Sequence, residues 1–214
     1  MSVTITIRKT KAVAILAVVA LVTVVITLAV RGRTDYRDDQ EGNGNTKDIS
    51  GQARFGAKSF GDLVGSTAPD FSLLDYNGET VNLSDFQGKK VVLFFNEGLM
   101  CYPGCWNQIA SLGQDERFSG DVVALSVVVD PRDKWSQAVD KLPELAKATV
   151  LFDVDREVSR AYGVLSLASS MHPGQLPGHS YVVMDRERVV SFVKDDPRMG
   201  NWNDRLVQEL AKLP

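Results

Sequence analysis

At 214 residues the chain is long enough for one domain and something more, and 44% hydrophobic with 24% charged residues excludes a disordered or collagen-like polymer. The net charge of −3 hides an asymmetry: residues 1–33 hold five bases (Arg8, Lys9, Lys11, Arg31, Arg33) and no acid, leaving 19 bases against 27 acids in the rest. That acidic remainder argues against nucleic acid as a partner, and two cysteines are too few for a disulfide-stapled miniprotein or a four-thiolate zinc site.

After a short amino-terminal tail (1–11), Ala12 to Val30 reads AVAILAVVALVTVVITLAV, without a charge. At about 1.5 Å per residue it nearly crosses a ~30 Å hydrocarbon core, so 12–30 is expected to be a transmembrane anchor whose partner is the lipid bilayer. The alternative is a cleaved secretory signal, whose apolar region normally runs ~7–15 residues before a small-x-small site; Thr27 and Ala29 make a poor one. Basic residues flank the span on both sides, so charge alone does not orient it. A short tail before one span and a large domain usually leaves the tail in the cytoplasm, which makes this a single-pass membrane protein with its domain outside. Residues 31–58, polar and glycine-containing beyond the first few, read as a flexible linker. The folded domain then occupies 59–214.

Within it, APDFSLLDYNGETVNLSDF carries the turn Asn77-Gly78 between short apolar stretches and reads as a hairpin. Strands are expected at 90–96, 121–129, 149–153, 179–185 and 188–193, the first two apolar on both faces as in a sheet covered by helices on each side. Helices are expected at 103–114, at 132–147 with a break at Pro143, at 155–162, and at 201–213, where Trp202, Leu206, Leu210 and Leu213 form a stripe. This alternation gives a layered α/β domain with helices on both faces of a central sheet.

The chemistry gathers where the strand at 90–96 ends: Glu97-Gly98-Leu99-Met100, then Cys101-Tyr102-Pro103-Gly104-Cys105-Trp106. Proline suits a first helical turn, so Pro103 puts Cys101 at the strand-to-helix bend and Cys105 inside the first turn. The positive end of a helix lowers a thiol pKa and raises the reactive thiolate fraction. A spacing of four also permits a disulfide if the Cα atoms come within about 6.8 Å. As a mere staple such a ring contributes only about 2 kcal/mol by loop entropy. Three readings stay open: a static disulfide, two inert thiols, or a working pair, accessible to water, that is redox-active or binds metal.

VGSTAPDFSLLDYNGETVNLSDFQGKKVVLFF, followed by a cysteine at a helix start, resembles the opening of the peroxiredoxins of the alkyl hydroperoxide reductase and thiol-specific antioxidant type, in the thioredoxin-like superfamily. DVVALSVVVDPRDKWSQAV, TVLFDVDREVSRAYGV and HSYVVMDRERVVSFV extend the similarity over roughly 60–213. The resemblance implies a thioredoxin-like fold, a mixed sheet with helices on both faces and an amino-terminal hairpin. It also implies an antioxidant thiol oxidoreductase that acts on a peroxide or disulfide, is recycled by a thiol reductant, and has no cofactor. The family's Pro-x-x-x-Thr-x-x-Cys motif places Cys105 at the peroxide-reacting position, with Tyr102 in place of the threonine, Gly98 in place of the proline, and His179 in place of the later activating arginine. In thioredoxin the amino-terminal cysteine attacks, which would give that role to Cys101. The order of the two is therefore open, with His179 stabilising the thiolate or relaying its proton.

A C-x-x-x-C pair at this bend, an amino-terminal span and a later histidine also resemble the Sco-type copper chaperones of cytochrome oxidase assembly. That resemblance implies copper held by Cys101, Cys105 and His179, although the family's histidine falls at Pro177 and its prolines at Tyr102 and Trp106. Around the pair, Trp106 is expected to cover or underlie the sulfur, and Glu97 to be a proton acceptor or a solvated charge. His172 reads as a solvated loop residue and Met100, Met171 and Met199 as core gap-fillers rather than thioether ligands. Asn107 and Gln108 are expected to be exposed.

Overall fold

The computed structural model describes residues 59–214. The expected anchor (12–30) and linker (31–58) lie outside the described residues, among which no helix is long and apolar enough to cross a membrane.

The strands are β1 (Ser72–Asp75), β2 (Thr80–Asn82), β3 (Lys90–Phe95), β4 (Val122–Val128), β5 (Thr149–Phe152), β6 (Ser180–Met184) and β7 (Val190–Asp195), in the sheet order β2-β1-β5-β4-β3-β6-β7. β3, β4 and β5 are parallel, while β6, β7, β1 and β2 join antiparallel. The expected mixed sheet and amino-terminal hairpin are both present. Gly78 supplies the positive φ of 87° at the hairpin turn.

β3 shows why its sequence is apolar throughout. Val91, Leu93 and Phe95 enter one core layer with Leu125, Val127 and Tyr162, whereas Val92 and Phe94 enter the other with Ile109, Trp135, Leu206 and Leu210. A side-chain period of two thus distributes one strand between two covered faces. The second layer also contains both cysteines.

The helices are α1 (Gly104–Gln114), α2 (Ser136–Lys141), α3 (Glu157–Ala161) and α4 (Asn203–Leu210). Three are shorter than periodicity suggests. The 132–147 stretch divides into 3-10 turns at Arg132–Lys134 and Pro143–Lys147 around α2, because proline cannot continue the ladder. α3 starts late because the buried Asp153 carboxylate accepts the N–H groups of Val158 and Ser159 at 3.1 and 2.7 Å, capping the helix there. α4 starts at Asn203 because Gln108 Oε1 takes the Trp202 N–H at 2.7 Å. Gln108 is therefore buried and bonded, contrary to its expected exposure, while Asn107 is exposed.

Candidate active site

The bend after β3 is built around a missing side chain. Asn96 Oδ1 accepts the Gly98 N–H at 2.9 Å, and Gly98 adopts φ 56°. A Cβ at this position would stand 1.7 Å from Asp130 Oδ2, the same oxygen that accepts the Leu99 N–H at 3.1 Å. The residue that replaces the family's proline is thus a glycine because a carboxylate fills the space beside it. Burial pushes the Asp130 carboxyl above the ordinary aspartate range, opposed by the Leu99 hydrogen bond.

One 3-10 turn (Gly98–Met100) leads to Cys101; Pro103 is the cap of α1 rather than its first turn, and Cys105 is the helix's second residue. The Cys105 N–H donates to the Cys101 carbonyl at 3.0 Å. The two sulfurs form a disulfide, with Cα atoms 5.3 Å apart. The expected placement at a helix amino terminus is present; the expected exposure is not, since Cys101 is 3% and Cys105 0% exposed. The cause is geometric: Cys105 and Ile109, spaced by four, lie on the stripe of α1 that faces the core, and Cys101, whose carbonyl accepts the Cys105 N–H just before the helix, is drawn into the same layer. The cover is thin at one end, where Cys101's neighbours Met100 and Tyr102 are 61% and 52% exposed.

Tyr102 does not replace the family's threonine hydroxyl at the sulfur. It turns outward, edge-on to Trp106 at 4.9 Å, with the Lys141 ammonium 3.7 Å from its ring centre. Trp106 is buried in the core layer that holds the cysteines, and its indole N–H donates to the Gly98 carbonyl at 2.9 Å. Glu97 is corrected most sharply. Neither solvated nor near the sulfurs by hydrogen bonding, it is buried and accepts the N–H groups of Met171 and His172 at 2.6 and 3.0 Å and the Ser170 hydroxyl at 3.1 Å. It also faces His172 Nδ1 at 3.3 Å. Glu97 pins the loop at 170–172 and is a structural anchor. His172 is that anchor's ring partner, not a freely solvated residue.

His179 immediately precedes β6, one register position beyond the Phe95–Ser180 pair. Strand alternation puts it on the same face as Tyr181 and Phe94, and its ring meets Phe94 edge-on at 4.7 Å. Nδ1 lies 3.4 Å from Cys105 Sγ and Nε2 2.8 Å from the Tyr181 hydroxyl, which donates to the Gly200 carbonyl at 3.4 Å. That bonding assigns the proton to Nε2 and leaves the Nδ1 lone pair facing the sulfur. Burial holds the imidazole down at about 4, against the attraction of Asp196 and Asp195, so it is uncharged at neutral pH.

This depressed value has a consequence for stability. As pH falls, the unfolded chain's histidine protonates near 6.5 while the folded one resists until about 4. The unfolded state therefore binds more protons across that window, and stability falls with pH, by about 3 kcal/mol for this group at the acid end. Asp130 and Asp153, both pushed upward by burial, act in the opposite sense. Urea unfolding of the disulfide form between pH 7 and 4 should accordingly become less pH-dependent in His179→Gln than in the wild type. An unchanged pH slope would contradict the buried neutral imidazole.

The segment after β7 completes the site. Buried Asp196 donates its N–H to the His179 carbonyl at 2.9 Å, and its carboxylate accepts from the Gly200 N–H at 2.9 Å and Trp202 Nε1 at 2.8 Å. This tight turn holds Met199 at φ 50° with Sδ 3.8 Å from Cys101 Sγ. Met199 packs part-buried against the core, as expected of a gap-filler, whereas Met100 and Met171 are exposed rather than in the core. Sequence reasoning missed Tyr181, Asp196 and Asp130. Tyr181 had a signal, since a residue two after His179 on a strand must share its face; Asp196 and Asp130 had none beyond ending a strand. The donor atoms of Cys101, Cys105 and His179 all lie within 4.8 Å of one another.

Residues 64–193 match the AhpC/TSA family. Over 152 residues the chain is 35% identical to the peroxiredoxin Bcp of Escherichia coli (strain K12), a span of 70% of this chain and 96% of that one. It is 32% identical over 133 residues to the chloroplastic peroxiredoxin Q of Triticum aestivum, covering 60% and 57% of the two chains. Among solved structures, peroxidoxin BcpB from Mycobacterium tuberculosis aligns with a TM-score of 0.56 at 23% identity, covering 70% of this chain and 96% of the other. The reduced 2-Cys peroxiredoxin of Plasmodium vivax aligns with 0.57 at 22% identity, covering 70% and 80%. These structural likenesses bear on the fold alone.

Proposed function

Because the chain belongs to the AhpC/TSA family, we propose that it is a thiol peroxidase in which Cys105 reduces a peroxide and Cys101 resolves the product. The observation that carries this reading is the position of Cys105, at the positive end of α1 with a neutral imidazole nitrogen 3.4 Å from its sulfur.

In the reduced protein His179 Nδ1 takes the Cys105 proton, because the thiolate formed beside it supplies the negative charge that the disulfide form lacks and so offsets the burial that otherwise keeps the ring neutral. The thiolate attacks the terminal peroxide oxygen; an S–O bond forms, the O–O bond breaks, and the alkoxide or hydroxide leaving group takes the proton back from His179. The Cys101 thiol then attacks the Cys105 sulfenic acid, and water leaves as the S–S bond closes. Two equivalents of an external thiol restore the dithiol. They meet Cys101 first, beside the exposed Met100 and Tyr102, which makes Cys105 the leaving sulfur; a leaving thiol of low pKa speeds that exchange. His179 performs here what the family assigns to an arginine. No resident cofactor is needed for any step. The copper-chaperone role is not adopted, since it rests on the donor set without support from the relatives.

The test is stopped-flow mixing of the reduced full chain with hydrogen peroxide. Consumption of one peroxide per disulfide formed supports the reading, and an unreactive dithiol contradicts it. We further propose that residues 12–30 anchor the protein with its domain outside the cytoplasm, supported by their uncharged length. Alkaline extraction of membranes tests this, and release of the chain into the supernatant would contradict it.

A further inference from the structure

We propose that Tyr181 and Asp196 are positioning residues of the reaction, which together hold His179 in the one neutral tautomer able to take a proton from Cys105. The inference rests on the peroxidase reading above and deepens it, because that reading uses the base without saying what keeps it in its working form.

A neutral imidazole has two tautomers, and only the one protonated on Nε2 offers its Nδ1 lone pair to the sulfur 3.4 Å away. The Tyr181 hydroxyl, 2.8 Å from Nε2, can meet either form, since a hydroxyl both donates and accepts. The Gly200 carbonyl, 3.4 Å from that hydroxyl, breaks the tie. A carbonyl only accepts, so it takes the phenolic O–H and leaves the hydroxyl oxygen as the acceptor for Nε2–H. In the other tautomer the hydroxyl would turn to Nε2, the Gly200 carbonyl would lose this donor, and an N–H would face a sulfur that accepts weakly. Burial pushes the Tyr181 hydroxyl well above the ordinary phenol range, so it keeps its proton.

Asp196 fixes the carbonyl in turn. Its buried carboxylate accepts the Gly200 N–H at 2.9 Å and the Trp202 indole N–H at 2.8 Å, while its own N–H donates to the His179 carbonyl at 2.9 Å. The turn that presents Gly200 is therefore tied to the backbone of the very histidine it orients. Phe94 and Trp202 both stack on the Tyr181 ring, at 4.9 and 5.7 Å, so the ring is held by packing independently of its hydroxyl. In a Ser-His-Asp triad a carboxylate sets the histidine's tautomer by direct contact. Here the carboxylate acts one peptide and one hydroxyl further away.

The experiment records imidazole 15N NMR spectra of the full chain in its disulfide form at neutral pH, and the stopped-flow rate of the reduced chain with hydrogen peroxide. With two histidines in the chain, loss of one set of signals in His179→Gln assigns the spectrum. The expected result is a single His179 tautomer, protonated on Nε2. Tyr181→Phe, which removes one oxygen and keeps the stacked ring, should bring the Nδ1-protonated form to roughly half or more and slow peroxide reduction in proportion, roughly 2- to 10-fold. Asp196→Asn keeps an oxygen acceptor for Gly200 and Trp202 and should retain the tautomer, whereas Asp196→Ala should lose it. An Nδ1-protonated His179 in the wild type would overturn the proposal. So would an unchanged tautomer in Tyr181→Phe or in Asp196→Ala, or a changed tautomer with an unchanged peroxide rate. Because the spectra are taken on the disulfide form without peroxide, a chain that fails to consume peroxide defeats the peroxidase reading while the spectra still decide what sets the tautomer.

Discussion

Replacing Cys105 by serine is expected to abolish peroxide consumption, with a rate loss on the order of a thousandfold or more, because a nucleophile that works as a unit with its base leaves little behind when removed. The serine hydroxyl would sit 3.4 Å from the same imidazole nitrogen but ionises far too weakly to attack. Cys101→Ser should behave differently. It keeps Cys105, His179 and the helix amino terminus, so one peroxide is still reduced at close to the wild-type rate. Turnover then stops, because no thiol remains 5.3 Å away, Cα to Cα, to condense with the sulfenic acid. Stopped-flow measurement on both variants decides the order: a single turnover retained in Cys105→Ser and lost in Cys101→Ser would reverse the assigned roles.

The second large effect is structural. Gly98→Ala should destabilise the disulfide form by about 3 kcal/mol or more. A left-handed backbone costs an L-residue roughly 1–2 kcal/mol, and overpacking against a fixed neighbour typically costs a further 1–3. The added methyl would stand 1.7 Å from Asp130 Oδ2, so the carboxylate must move and release the Leu99 N–H that it accepts at 3.1 Å. For a domain of this size the midpoint of thermal unfolding should fall by roughly 10 °C. Asp130→Gly introduced alongside should recover part of the loss, since the two positions compete for one space. An unchanged midpoint in Gly98→Ala would show that the bend does not depend on that space.

The architecture was legible because it is written in long apolar runs. β3 and β4 are covered on both faces, and a strand with no polar face reads as central whatever its partners. Asn77-Gly78 marked its hairpin, and Pro103 set the start of α1 to within one residue. Helix ends were read less well, since Asp153 and Gln108 cap α3 and α4 from outside the helical pattern. The cysteine pair was read from its place at the bend and His179 from the family resemblance, but their burial was not. Pro103 told of a bend at a helix start without saying that both sulfurs there turn inward. Glu97 misled for the same reason: a glutamate beside a reactive loop is usually solvated, and only the fold reveals the amides of Met171 and His172 gathered around it. Met199 and Asp196 act across 98 and 17 residues of separation respectively, on Cys101 and His179, distances over which local pattern carries no information.

The central claim is that Cys105 is the sulfur that meets the peroxide. Mixing the reduced Cys101→Ser full chain with one equivalent of hydrogen peroxide, trapping sulfenic acid with a cyclic 1,3-dione and mapping the adduct by mass spectrometry tests it most directly. One adduct per chain on Cys105, formed more slowly when His179 is also changed to glutamine, is the predicted result. The claim is contradicted if Cys105 stays unmodified there while Cys101 is labelled in the matching Cys105→Ser chain.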